Sequence, residues 1–498
     1  MPNVHCPPLR IRSPRRSGAL LAVLAWLSGC ASQPASDGAA IAHWTQLGPR
    51  GEISLRAIVA ASDGCPTAVV DGVTLPLLTR AGATPLATDR NVANGNPAFE
   101  AGFAVNSCEL TLPRSARQAS IGDQAVALPG TDIRRIVVVG DTGCRIKVPA
   151  SGSGDPIQDC NNPVDWPWQR VAAAAARTRP DLVIHLGDYH YREYCDQPAL
   201  CGPLRERGVV IDYGWSGWNA DFFVPAKPLL NAAAWIVVRG NHEDCDRGGE
   251  GWMRFLSPVP YQACANQLYK TDSRSVLDNN RTADAYTIDL GGALSVVVID
   301  NAGHEDYRPA SKAAQDVAVF KRTLAALQSV PETQQVWLLL HRPIWYDLLE
   351  APVQPNALQL ALARQMPANV QFAFAGHQHA FQTINFAPES DTVNYPAGRP
   401  AQVVVGASGT QLEAFDPSSP LYQGSSGSDS RERAHPDGRL YDGVTAGSGI
   451  VLNRYSFLLL ERDDAGWAGT LLDPEGKSIS RCRLDGERKE IACSVQNP

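Results

Sequence analysis

Leu182-Val183-Ile184-His185-Leu186-Gly187-Asp188-Tyr189-His190-Tyr191 joins a short apolar run to a Gly-Asp pair. A buried strand ending this way delivers a carboxylate at its carboxyl end, where open α/β sheets keep their sites. Asp188 therefore reads as a ligand, although Gly-Asp is also ordinary turn chemistry and one instance decides little. The chain repeats the arrangement. Ile136-Val137-Val138-Val139 runs into Gly140-Asp141-Thr142-Gly143, and Trp235-Ile236-Val237-Val238 runs through Arg239 into Gly240-Asn241-His242-Glu243. Val336-Trp337-Leu338-Leu339-Leu340 ends at His341, and Val370-Gln371-Phe372-Ala373-Phe374 ends, after Ala375, at Gly376-His377-Gln378-His379. Singly, Asp141 could cap a helix, Asn241 could fill a turn and His341 could be a satisfied core histidine. Five strands in succession, each ending in Asp, Asn, His or Tyr, make a shared site the better reading.

In this order the motifs resemble those of the calcineurin-like metallophosphoesterases, and within them the purple acid phosphatases: Gly-Asp-x-Gly, Gly-Asp-x-x-Tyr, Gly-Asn-His-(Asp/Glu), a strand-end His, and Gly-His-x-His. One paired change carries the subtype. Most of the superfamily has Asp-x-His in the first motif, whereas Gly143 stands at that His position here and Tyr191 follows the second Asp. The resemblance spans roughly Ile136 to Phe381.

The resemblance implies a metallophosphoesterase fold, a layered β-sandwich flanked by helices. Position by position, it implies that Asp141, Tyr191 and His379 hold one metal, that Asn241, His341 and His377 hold another, and that Asp188 bridges both. Hard carboxylate and phenolate oxygens suit Fe(III), while imidazoles and an amide suit Zn, Mn or Fe(II). Such a pair clamps a phosphate and acidifies water, so the implied activity is hydrolysis of phosphate monoesters by a metal-bound hydroxide. No serine or cysteine nucleophile is required, and no Gly-x-Ser-x-Gly elbow is present. Phosphodiester or nucleotide pyrophosphate hydrolysis is the alternative at the same site. A surface lipoprotein that binds phosphate or glycan is the non-enzymatic one. His242, beside Asn241, is implied as a phosphate donor or general acid, with a purely structural role as its alternative. Glu243 and Asp244 read as supports behind the ligands or as solvated charges. Many purple acid phosphatases place a further substrate His soon after the strand-end ligand, yet no histidine lies between His341 and His377. The leaving-group acid is therefore open, and His190 and Arg342, the nearby candidates, read first as structural.

Outside the motifs, Arg10, Arg12, Arg15 and Arg16 precede the apolar run Ala19 to Leu27, followed by Ser28-Gly29-Cys30. Residues 1–29 read as an export signal, too short to span a membrane as a mature helix. Leu27-Ser28-Gly29-Cys30 resembles a bacterial lipobox, which implies a lipid on Cys30; an uncleaved anchor or plain signal peptide is the alternative. Ala31 resembles the pattern of lipoproteins sent to the outer membrane. The expected address is thus periplasmic or outer membrane in a Gram-negative-type bacterium, with membrane attachment through Cys30. Four arginines and no acid leave with the signal, so the remainder holds 40 basic and 51 acidic residues, a net charge of −11. Nucleic-acid binding is not expected of such a balance.

Setting aside Cys6 and Cys30, ten cysteines remain. An even number in an exported chain reads as disulfides. Pairing sequence neighbours would join Cys65 to Cys108, Cys144 to Cys160, Cys195 to Cys201, Cys245 to Cys264 and Cys482 to Cys493, and other connectivities stay open. Residues 30–43 are small and polar, as a tether should be. Residues 44–130 hold short β runs such as Ile53–Val59, broken by Gly, Pro, Asn and Asp, and read as a small all-β, sandwich-like domain. From 131 to 498, strands alternate with helical patterns at Trp168–Arg177 and Ala313–Leu327, which argues an α/β layered domain. Within it, 416–449 reads as a loop and 450–498 as a β extension completing a sheet. Trp215, Trp218 and Phe222 read as a packing cluster, with stacking on a substrate ring as the lesser option.

Overall fold

The computed structural model describes residues 39–84, 102–146, 157–192, 198–245, 247–264, 283–303, 310–345, 355–386, 393–412, 432–434 and 448–496. The expected export signal, Cys30, most of the tether and nearly all of 416–449 lie outside the described residues.

The N-terminal segment forms β1 (Ala42–Leu47), β2 (Ile53–Ala60), β3 (Thr67–Val70), β4 (Val73–Pro76), β5 (Leu78–Ala81), β6 (Val105–Leu112), β7 (Ala119–Ile121) and β8 (Gln124–Ala125). Next come β9 (Arg135–Val139), β10 (Leu182–His185) and β11 (Ala234–Val237), then β12 (Tyr286–Gly291), β13 (Leu294–Val298), β14 (Gln335–Leu339), β15 (Val370–Ala375), β16 (Phe381–Asn385) and β17 (Ala401–Val405). The chain closes with β18 (Glu432–Ala434), β19 (Ser448–Leu452), β20 (Phe457–Asp463), β21 (Gly466–Leu472), β22 (Ser478–Asp485) and β23 (Glu490–Val495).

These strands make an eleven-stranded sheet in the order β23-β22-β21-β20-β9-β10-β11-β1-β2-β6-β5, an eight-stranded sheet β12-β13-β14-β15-β17-β16-β19-β18, and a four-stranded sheet β4-β3-β7-β8. Side chains alternate between strand faces, and here both faces are covered. Ile136, Val138, Ile184 and Ile236 point into one core with Trp337, Leu339, Phe374 and Val403 of the eight-stranded sheet. Val137, Val139, Val183 and Trp235 point the other way, against helices Trp168–Arg177, Val224–Leu230 and Gly249–Phe255. Val336, Leu338 and Ala373 likewise meet Phe320, Leu358 and Leu362 of the helices beyond the second sheet. The result is two sheets face to face with helices outside. Burial on both faces explains why these strands read as unbroken apolar runs.

β9, β10 and β11 are parallel, and Leu182 stands opposite both Ile136 and Ala234. β13, β14, β15 and β17 are parallel in the other sheet. Parallel strands in step bring their carboxyl ends to one edge, so the loops after β9, β10, β11, β14 and β15 gather there.

A strand-rich segment precedes the catalytic elements, as its turn-punctuated runs imply. Four of its strands continue the sheet of the catalytic elements. β1 pairs in parallel with β11, Gln46 opposite Trp235, and β2, β6 and β5 follow it outward. All six residues of β1 are buried, so this strand has no solvent face to offer a separate domain. Two arginines from the added strands also reach across to the helix Gly249–Phe255. Arg80 donates to the carbonyls of Arg254 (3.1 Å), Met253 (2.9 Å), Ser257 (3.1 Å) and Val259 (2.6 Å). Arg56 donates to those of Phe255 (3.3 Å) and Ser257 (3.2 Å). Carbonyls at a helix C-terminus lack partners within the helix, and these guanidinium groups supply them. β20 to β23 extend the opposite end of the same sheet.

Four disulfides join Cys65 to Cys108, Cys144 to Cys160, Cys245 to Cys264 and Cys482 to Cys493. The remaining sequence-neighbour pair, Cys195 with Cys201, falls outside the described side chains. Disulfides of this number belong to a chain that matures in an oxidising compartment. None of the described helices is long and apolar enough to cross a membrane.

Candidate metal centre

At the strand-end edge the structure brings together Asp141, Asp188, Tyr191, Asn241, His341, His377 and His379. Tyr191 Oη lies 2.7 Å from Asp188 Oδ2, 3.2 Å from Asp141 Oδ1 and 2.9 Å from His379 Nε2. Beside this group, Asn241 Oδ1 lies 3.0 Å from His341 Nε2 and 2.8 Å from His377 Nδ1. Asp188 touches both groups, its Oδ2 also standing 3.3 Å from His341 Nε2. The ligand atoms of Asp188, His341 and His377 all lie within 4.8 Å of one another.

The backbone is bent to achieve this. Asp141 (φ 54°), Asp188 (φ 59°) and His377 (φ 72°) all adopt the left-handed region, costly for residues with a Cβ. Hydrogen bonds hold them there. The backbone N–H of His377 donates to Asp141 Oδ2 at 2.8 Å, and that of His242 donates to Asp188 Oδ1 at 2.9 Å. Glu243, fully buried, accepts four backbone N–H groups: Asp188 (2.9 Å) and Gly240 (3.0 Å) on Oε2, Tyr189 (2.9 Å) and His190 (3.2 Å) on Oε1. Burial and the Asp188 charge raise its pKa, the N–H groups oppose them, and with both oxygens accepting, the carboxylate form fits the site. Asp221 does the same for the next stretch. It accepts the N–H of Tyr191 (2.7 Å), Arg192 (2.9 Å) and Cys144 (3.1 Å), and pairs with the Arg192 guanidinium at 2.6 Å. Gly240 has no room for a side chain, since a Cβ there would strike Asp188.

The donor chemistry fits cations. His341 Nδ1 donates to the Leu186 carbonyl at 2.7 Å, which leaves Nε2 with a lone pair. That lone pair faces the oxygens of Asn241 and Asp188, so acceptors confront acceptors until a positive ion sits among them. Burial, then the Asp188 charge, pushes the Asp141 carboxyl well above its usual range. Burial also raises Asp188, but the imidazoles of His341, His242 and His377, when protonated, outweigh it and hold this carboxyl well below that range. Burial, followed by the Asp188 and Asp141 charges, drives the Tyr191 phenol well above its usual value. Burial, helped by Arg145, pushes the His379 imidazole down to about 3. A neutral His379 is a ready ligand, and Tyr191 ionises here only against a strong Lewis acid.

A model of the calcineurin-like phosphoesterase family matches residues 134–381, the span that holds all seven. The chain belongs to the calcineurin-like phosphoesterases. Membership makes this phosphoesterase a metal-dependent phosphoester hydrolase with a dimetal centre. Its fold is shared with the purple acid phosphatase of yellow lupin (Lupinus luteus) seeds, at 16% identity and a TM-score of 0.50, over 89% of this chain and 73% of that one. The structure of PhoD gives 11% identity and a TM-score of 0.46 over 94% of each chain. No curated protein matches the chain.

Around the phosphoesterase centre, other residues take roles that sequence reasoning left open or missed. The His242 ring stacks beside Tyr191, centroids 3.7 Å apart, with Nε2 4.0 Å from Asp188 Oδ2. His190 is packed away, its Nε2 2.8 Å from the Asp212 carbonyl and its ring against Tyr213 and Trp218. Trp218 and Phe222 are buried against Phe255 and Tyr189, a packing cluster. Arg247 contacts His242 and Arg342 contacts His377; Arg342 was a candidate from its place after His341, and Arg247 was missed because no motif includes it.

Proposed function

We propose that this chain hydrolyses phosphate monoesters at a pair of metals, Fe(III) with Zn, Mn or Fe(II). In this reading Asp141, Tyr191 and His379 hold one ion, Asn241, His341 and His377 the other, and Asp188 both. The observation that carries it is the Tyr191 hydroxyl, set among Asp141, Asp188 and His379. Gly143 supports it independently: a Cβ at that position would come within 2.7 Å of Tyr191 N and 2.8 Å of its Cδ2. Glycine at 143 thus leaves room both for the backbone of the 189–191 stretch and for the Tyr191 ring. When bound, the pair supplies Lewis acidity, which polarises the phosphoryl oxygens and lowers the pKa of water to furnish the nucleophile.

The protein's own groups then do the rest. His242 stands beside the candidate ligands, its backbone N–H committed to Asp188 and its ring against Tyr191, and in this reading the ring donates to a phosphoryl oxygen or to the departing alkoxide. Glu243 and Asp221 keep the ligand loops from relaxing. The test is optical. A phenolate on Fe(III) absorbs in the visible, so iron-loaded protein is expected to be purple to pink. Tyr191→Phe should bleach it, and Tyr189→Phe, whose hydroxyl donates to the Val238 carbonyl at 3.0 Å, should not. A colourless iron-loaded protein, or a band that survives Tyr191→Phe, refutes the iron reading.

We also propose lipid attachment at Cys30, on the strength of Leu27-Ser28-Gly29-Cys30 and of disulfides that need an oxidising compartment. Metabolic labelling with a fatty-acid analogue should mark the wild type and leave Cys30→Ser unmarked; an unlabelled wild type rejects it.

A further inference from the structure

A sixth apolar run, Val296-Val297-Val298-Ile299, ends in polar residues that the candidate ligand set does not use, Asp300-Asn301. β13 runs parallel to β14, with Val298 opposite Leu339, so Asp300 and Asn301 emerge beside His341 and Arg342 at the strand-end edge. Both are buried. At such an edge an Asp-Asn pair has the chemistry of ligands, yet these atoms are committed elsewhere.

Asn301 Oδ1 accepts the backbone N–H groups of His341 and Arg342, both at 3.1 Å, and its Nδ2 donates to the Arg342 carbonyl at 2.8 Å. A side-chain amide carries acceptor and donor in one plane, so this one fixes two successive residues of backbone. Asp300 reaches the other way. Its Oδ2 lies 3.5 Å from Nη1 of Arg239, the residue two before Asn241. The Arg239 side chain is 1% exposed; its Nε donates to the Glu243 carbonyl at 2.9 Å, and its Nη2 lies 3.6 Å from Asp244 Oδ1. Asp300 is itself held by the N–H groups of Ala283 (2.9 Å) and Ala302 (3.3 Å).

The sequence of contacts Arg239, Asp300, Asn301 thus joins the loop of Asn241 to the loop of His341. These two residues are assigned to the same ion, and Asn241 Oδ1 stands 3.0 Å from His341 Nε2. The loops of the other ion are held differently. Asp221 accepts the N–H of Tyr191, while Thr410 donates from Oγ1 to the Gly143 carbonyl at 2.6 Å and from its N–H to the Asp141 carbonyl at 2.8 Å. Among the described residues, Asp300 and Asn301 make no hydrogen bond or ion pair to the loops of Asp141, Tyr191 or His379.

We propose that Arg239, Asp300 and Asn301 are positioning residues for one ion of the pair: they set the separation of Asn241 from His341, and with it the affinity for the ion those two share with His377. The inference rests on the ligand assignment proposed above. Groups that orient metal ligands without touching the metal change its affinity by about 10- to 100-fold when removed.

The experiment takes full-length wild type, Asn301→Ala, Arg239→Lys and a control, Asn369→Ala, each loaded with iron and dialysed against buffered Zn(II). Lysine keeps the charge of Arg239 but has one nitrogen where the guanidinium meets three partners. Asn369 also ties loops together, donating to the Pro331 and Gln334 carbonyls at 3.1 and 2.9 Å, but it does so just before β15 begins, at the other edge of the sheet. Metal per chain, the visible band and the urea midpoint are read. Asn301→Ala and Arg239→Lys are expected to bind the second ion about 10- to 100-fold more weakly while keeping the first ion and its band, and excess Zn(II) should restore full occupancy and phosphoester hydrolysis. The control should bind both ions as wild type does. Unchanged zinc affinity in the two variants, or loss of both ions in step with a lower urea midpoint, overturns the proposal and leaves the ligand assignment standing. A wild type that takes up no second ion rejects that assignment, and this inference with it. If the iron-loaded wild type is colourless, metal per chain decides: a fall from two ions to one supports the proposal, a fall to none rejects it. Where Asn301→Ala does not fold, Arg239→Lys decides by the same readings.

Discussion

Glu243→Gln is the sharpest probe of how this site is held open. The carboxylate accepts four backbone N–H groups from two loops, two on each oxygen. Glutamine keeps one oxygen and turns the other into an NH2 group that faces two donors. Two hydrogen bonds to a charged acceptor are lost, each contributing about 1.5–3 kcal/mol, so the variant should lose about 3–6 kcal/mol. Such a loss is a large part of the ~5–15 kcal/mol that stabilises a typical domain. The effect should also be local, because Asp188 (φ 59°) depends on this contact to stay in its left-handed conformation. Urea unfolding and metal analysis check both consequences: a lower midpoint, and less metal bound per chain at fixed metal activity. The exposed Glu461→Gln is the control and should stay within about 0.5 kcal/mol of wild type. A Glu243→Gln protein that unfolds within about 1 kcal/mol of wild type and binds metal fully would refute the reasoning.

Arg80→Ala removes a buried guanidinium that meets four carbonyls and Glu109 (2.9 Å), and should cost about 3–5 kcal/mol, the range for breaking a buried charged pair, seen as a lower urea midpoint. Replacing Cys245 and Cys264 by serine opens a loop of 19 residues' separation just after Asn241 and His242, and about 3 kcal/mol of stability should go with it in thermal unfolding. His242→Ala should lower kcat by about 10²–10⁴-fold with metal content unchanged; full activity would return this ring to a structural role.

Much of the centre was legible because each candidate ligand follows its own strand within a few residues. Ile136–Val139, Leu182–Leu186, Trp235–Val238, Val336–Leu340 and Val370–Phe374 are apolar on both faces, and such runs announce buried strands wherever they stand in a chain. The four described disulfides join neighbours along the sequence, so they too were within reach of simple counting. Glu243 was harder. A glutamate after Asn-His looks the same whether solvated or buried under four N–H groups, because its partners lie 53 to 55 residues away, at Asp188, Tyr189 and His190. Arg247 carries no periodic or motif signal, and only its distance to His242 sets it apart; Arg342 was noticed only for following His341, and the structure adds its contact with His377.

The sequence by itself determined the buried strands, the candidate ligand types at their ends and the paired occurrence of Gly143 and Tyr191, because periodicity and strand-end chemistry are local properties. The tertiary structure decided which strands share a sheet. β1, β2, β5 and β6 read from their turns and lengths as part of a small all-β domain, and the structure shows them continuing the catalytic sheet from β11 outward. Backbone hydrogen bonding is nearly blind to side-chain identity, so a strand's pattern declares that it pairs without declaring its partner. The choice is made by long-range burial, here by the fully buried face of β1 and by Arg56 and Arg80 closing on the end of the helix Gly249–Phe255.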